Sequence, residues 1–113
     1  MMIVNLKEKS LDSKKKEFFY GAKINKAIQD VYLGLCFLEP GECKRKVGPG
    51  KGHEEILFLT EGQIQVTIKD KDFILNEGEV YFIPDGSKAF LKNMTENRCQ
   101  FIIAGGHTKH HSH

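Results

Sequence analysis

His53 and Glu55 stand two residues apart in Gly52-His53-Glu54-Glu55. Along a strand, residues at this spacing face the same way, about 6.5–7 Å apart. An imidazole and a carboxylate so placed converge on one ion or one polar ligand. The C-terminus offers more of the same chemistry. Gly105-Gly106-His107-Thr108-Lys109-His110-His111-Ser112-His113 holds four of the chain's five histidines. Histidine-rich tracts bind divalent metals, and a Gly105-Gly106 hinge would let the tail fold back over the rest of the fold. The candidate metal ligands are therefore His53, Glu55, His107, His110, His111 and His113, with a divalent transition metal as the candidate cofactor. Blander readings stand beside this one. His53 is also read as a hydrogen-bonded structural histidine, and Glu55 as half of an ion pair with Lys51. The tail is also read as a solvated terminus or an appended tag.

Other chemistries lack their parts. The three cysteines, Cys36, Cys43 and Cys99, are odd in number and form no CxxC pair, so they read as reduced thiols of a cytoplasmic protein. No Ser-His-Asp pattern, phosphate loop or dinucleotide fingerprint occurs. The 17 basic and 15 acidic residues nearly cancel, which leaves no whole-molecule field to gather nucleic acid or anionic membrane. Lys14-Lys15-Lys16 and Lys44-Arg45-Lys46 are each too short for a basic tail and read as solvated loops. No apolar run approaches the roughly 20 residues that span a bilayer. Nucleic acid and membrane are therefore not expected as partners.

The elements that must position these residues are strands. Length predicts one domain. Val31 to Leu38 is apolar on both faces, as a strand between two packed layers is. Glu55–Leu59 reads as a strand, Thr60-Glu61-Gly62 as a hairpin turn, and Gln63–Ile68 as its return, alternating with period two. Phe73–Leu75, Val80–Ile83, Ala89–Leu91 and Cys99–Ile103 follow, separated by turn residues at the spacing of a sandwich or barrel. Ile3, Val4 and Leu6 suggest a short strand, and Leu11–Phe19 a loop or single helical turn. The chain divides into an N-terminal arm (1–30) packed on the barrel or a partner, a barrel (31–104) and a His-rich tail (105–113).

Two spacings then carry a resemblance. Glu55 followed after six residues by Gly62 resembles the second half of the first cupin motif. Gly78, five residues, Pro84, one residue and Gly86 resemble the second, and Asn93 closes it at the expected distance. The resemblance spans about Pro40 to Ile103. It implies an all-β fold, a small antiparallel jelly-roll β-barrel, usually dimeric, with a central pocket. It also implies a metal held by an HxH pair, a glutamate and a third histidine. Here only the glutamate is present, as Glu55. The HxH positions fall on Pro49 and Lys51, or on Gly48 and Gly50, and the third on Ala89.

Inward alternation from Glu55 places Leu57 and Leu59 inside and leaves Ile56 and Phe58 on an apolar outer face that needs a cover. A homodimer is expected on that ground. The expected pocket comprises Lys51, His53, Glu55, Leu57, Leu59 and Ala89, with a small polar organic molecule as ligand. Three functions follow: a small-molecule-binding cupin without the usual ligands; a metal-dependent isomerase or dioxygenase using His53, Glu55 and the tail; or a structural or interaction module whose barrel is filled by side chains.

Overall fold

The computed structural model describes residues 3–108. A helix, α1 (Leu6–Asp12), precedes strands β1 (Glu17–Tyr20), β2 (Tyr32–Leu38), β3 (Arg45–Val47), β4 (His53–Glu61), β5 (Gln63–Ile68), β6 (Lys71–Asn76), β7 (Val80–Ile83), β8 (Ala89–Asn93) and β9 (Cys99–His107). They form two antiparallel sheets, ordered β1-β2-β9-β4-β7 and β3-β8-β5-β6. The expected jelly-roll barrel is the observed fold.

Period-two alternation builds the interior. Leu57 and Leu59 of β4, Ile64 and Val66 of β5, Leu91 of β8 and Phe101 of β9 are fully buried in one cluster. Each such side chain stabilises the fold by about 1.5–3 kcal/mol relative to exposure. Asn93 closes the cluster at one end. Its buried amide donates to the carbonyls of Leu38, Glu39 and Asn97, and its Oδ1 accepts from the Thr95 backbone and hydroxyl, both at 2.8 Å. The residue that ends the second motif thus ties three chain segments together.

Several expectations need correcting. Leu6, expected in a short strand with Ile3 and Val4, instead opens the helix that runs to Asp12, because Asn5 caps it by accepting from the Glu8 N–H at 3.0 Å. Ser10 then docks the helix, its hydroxyl donating to the Leu35 carbonyl at 2.6 Å. Within the N-terminal segment, Phe18–Tyr20 is the body of edge strand β1, paired with β2. The Thr60–Gly62 turn joins no hairpin: β4 pairs with β7 and β9, and β5 with β6 and β8. The chain crosses between sheets at Gly62, whose φ is +104°. A Cβ there would lie 3.0 Å from Cys99 Cβ, and closer to its sulfur. A true hairpin follows instead at β5–β6, where Lys69 and Asp70 both take positive φ, the geometry of a two-residue I′ turn. Finally, Gly105 and Gly106 are strand residues rather than a hinge. β9 pairs Gly105 with both Tyr32 and Glu55, and His107 with His53. The sheet therefore continues three residues past 104.

The two sheets differ on their outer faces. On the four-stranded sheet, Phe90 lies in a row with Lys46 and Thr67, so its apolar residues are isolated among polar ones. On the five-stranded sheet two rows run across every strand. One is Tyr20–Leu33–Ala104–Ile56–Phe82; the other is Phe18–Leu35–Ile102–Phe58–Val80. Ile56 is 46% exposed, Phe82 52% and Val80 58%.

Candidate functional site

The polar end of the barrel is built by one inward row across three strands. Tyr32 of β2, Gly105 of β9 and Glu55 of β4 stand opposite one another. Because the middle residue has no side chain, Tyr32 reaches across β9. Its hydroxyl donates to Glu55 Oε2 at 2.7 Å. A Cβ at Gly105 would sit 2.7 Å from the Glu54 carbonyl oxygen and run into Tyr32 Oη. Gly105→Ala is therefore expected to break the Tyr32–Glu55 bond and to destabilise the fold by about 1–3 kcal/mol. Denaturant unfolding of the two proteins measures this, and an unchanged midpoint would show that the row has room to spare.

Glu55 is only 7% exposed. Burial pushes its carboxyl above the ordinary glutamate range, against the opposing effects of the Tyr32 hydroxyl and of the Lys88 and His53 charges. Tyr32 is raised well beyond the usual phenol range, first by burial and then by Glu55. The sign for stability follows by linkage. Below the ordinary glutamate value the carboxyl is protonated in both folded and unfolded chains, and Glu55 adds no pH dependence. As pH rises from the ordinary glutamate value toward the raised folded one, the unfolded chain loses its proton first, so stability falls over that interval and then levels off. Glu55→Gln keeps an acceptor for Tyr32 and removes the titration. Its melting temperature is expected to fall less than the wild type's between about pH 4 and pH 7. Parallel profiles would mean that Glu55 is not held up by its surroundings.

One row further out, His53 and His107 face each other across β4 and β9, ring centroids 4.4 Å apart. His53 Nδ1 lies 3.3 Å from the Lys51 carbonyl. His107 pairs with Asp30 through its ring Nδ1, and its backbone N–H donates to the same oxygen at 2.7 Å. Thr108 continues the edge, its N–H donating to the Gly52 carbonyl and its hydroxyl to Asp85.

His53, Glu55 and His107 gather at one end of the barrel. The partner of Glu55 is Tyr32, not Lys51, which sits exposed in the preceding turn. Leu57, Leu59 and Ala89 are completely buried in the core cluster, so they are packed against other side chains rather than flooring an open pocket. His110, His111 and His113 lie outside the described residues. Tyr32 and Asp30 went unnoticed. The only signal for Tyr32 was its place in phase with Gly34 and Cys36 on the inward face of β2.

The metal centre implied by the cupin resemblance does not fit these residues. Glycine, proline and alanine have no ligand atom, and Lys51 presents a positive charge to a cation. Among the described residues no three His, Cys, Asp or Glu side chains converge to hold an ion. His107 is already engaged by Asp30.

Comparison with known proteins agrees with the architecture. A family model described as Mif2/CENP-C like matches residues 19–104. No curated protein matches the chain. Among solved structures, a cupin 2 conserved barrel domain protein from Salinispora arenicola superposes with a TM-score of 0.71 at 18% identity, over 93% of this chain and 87% of that one. A cupin protein from Bacteroides fragilis gives 0.69 at 14% identity, over 89% and 84%. The cupin domain of Schizosaccharomyces pombe Cnp3 gives 0.62 at 18% identity, over 69% and 56%, so this chain spans little more than half of that one. At these identities the likeness shows the fold alone. Among the described residues no helix is long and apolar enough to cross a membrane.

Proposed function

Because the chain belongs to the Mif2/CENP-C-like family, a cupin-fold family, we propose that it is a non-catalytic interaction module that works as a homodimer. The observation that carries this reading is the outer face of the five-stranded sheet. Its two apolar rows leave Leu33, Ile56, Phe58, Val80 and Phe82 in solvent. A contiguous apolar face of that width needs a cover, and β4, flanked by β9 and β7, cannot turn it inward without exposing Glu55, Leu57 and Leu59. A second copy supplies the same surface in return, as a twofold interface does. The filled interior supports a barrel that serves as a scaffold rather than a container. Cys36, Cys43 and Cys99 are free thiols, in keeping with a reducing, cytoplasmic setting. Light scattering at micromolar concentration is expected to give twice the chain mass, and a monodisperse monomer would contradict the proposal.

A second reading rests on the Tyr32–Glu55 pair. A buried acid and phenol at the barrel end, with Lys88 acting on the acid's charge, offer a donor, an acceptor and a cation to a small polar molecule. Ligand-induced stabilisation that disappears in Glu55→Gln would favour this reading.

A further inference from the structure

The two basic triplets of the sequence meet in space. Lys14 and Lys15 follow α1, while Lys44, Arg45 and Lys46 lead into and form β3. Together with Glu17 and Glu42 they line one groove of about 570 Å³. The carboxylates do not cancel the lysines, because Arg45 engages both. Its Nε donates to Glu42 at 2.8 Å, its Nη1 lies 3.3 Å from Glu17, and its Nη2 donates to the Phe37 carbonyl at 2.9 Å. Arg45 is therefore a structural floor that pins β3 against β1 and β2. Lys14, Lys15, Lys44 and Lys46 are exposed, and their ammonium groups have no hydrogen-bond or ion-pair partner among the described residues. Four free cations thus surround a groove whose own acids are already paired.

The groove also lies at an open seam. β1 is an edge strand of the five-stranded sheet and β3 an edge strand of the four-stranded one. Each edge carries backbone donors and acceptors on the side away from its partner strand, the template that an extended peptide uses to add itself to a sheet. We propose that this groove binds an acidic peptide segment in extended conformation, with carboxylates against Lys14, Lys15, Lys44 and Lys46 and backbone against the β1 or β3 edge. Three features favour a peptide over nucleic acid. No aromatic side chain lines the groove to stack a base. The free cations are lysines, which offer no planar fork for bidentate phosphate contacts. Glu17 and Glu42 in the lining oppose a continuous phosphate backbone.

The test uses a fluorescein-labelled octapeptide of alternating Glu and Thr, with a labelled DNA duplex as comparison, in anisotropy titrations at low salt. The peptide is expected to bind, and the combined Lys14→Ala, Lys15→Ala, Lys44→Ala, Lys46→Ala variant to lose about tenfold in affinity, since each exposed pair contributes modestly and four are removed together. These lysines hold no partner in the fold, so circular dichroism and melting temperature should not change. An octapeptide N-methylated at alternate residues should bind more weakly with the charges intact. The proposal is overturned by absent peptide binding, by peptide binding the lysine variant retains, or by tighter lysine-dependent binding of the duplex.

Discussion

Phe82→Glu turns the protein into a folded monomer. Phe82 lies opposite Ile56 on the outer face and is half exposed in the single chain. The substitution therefore has little to disrupt within the barrel. In a twofold dimer it places two carboxylates in an apolar interface, and burying an unpaired charge is costly. Dissociation should strengthen by at least about a hundredfold, since removing a buried charge's partner alone costs about 3–5 kcal/mol. Ile56→Asp, in the same row, should behave alike. Phe90→Glu is the control. It places the same charge on the other sheet, beside Lys46 and Thr67, and should leave the dimer intact. Sedimentation equilibrium reads all three. Loss of the dimer in Phe90→Glu but not in Phe82→Glu would move the interface to the opposite sheet.

Leu59→Ala is expected to cost about 2–5 kcal/mol of stability. Leu59 is fully buried and packs within the same cluster as Ile64, Leu91 and Phe101. A residue lining an open, water-filled pocket would lose far less, because solvent already stands where the cavity would form. Ala89→His extends the same argument. It restores the missing histidine of the second motif, but at a position with no exposure. Forcing an imidazole into that space should destabilise by about 1–3 kcal/mol or more, and no metal should be taken up. Urea unfolding and metal analysis measure both. A neutral Leu59→Ala, or a stable Ala89→His that binds a divalent ion, would reopen the interior as a site.

The barrel was legible because inward and outward residues alternate so regularly in β4, β5 and β8. Gly78 and Gly86 mark true turns, and Asn93 proved to be the buried amide that joins three segments. Pairing was less legible. Alternation gives a strand's faces but not its neighbour, so the bend at Gly62 looked like a hairpin although it passes between sheets. The helix at Leu6–Asp12 is set by one cap and one hydroxyl contact, signals that a seven-residue apolar pattern does not display. At the barrel end, His53 and Glu55 were visible from spacing. Tyr32 was not, because its contact depends on a glycine 73 positions away (Gly105) that occupies the strand between them. The convergence of two lysine-rich triplets was hidden for the same reason: neither is long enough alone, and only Arg45 and the seam bring them together.

The most direct measurement of the central claim is an intermolecular nuclear Overhauser experiment on a dimer mixed from isotope-labelled and unlabelled chains. Methyl groups of Leu33, Ile56 and Val80 should show contacts to the unlabelled chain, while interior methyls of Leu57, Leu59 and Ile64 show none. No intermolecular contact at the outer-face methyls, or contacts confined to the four-stranded sheet, would contradict the assignment of this face as the surface through which the protein works.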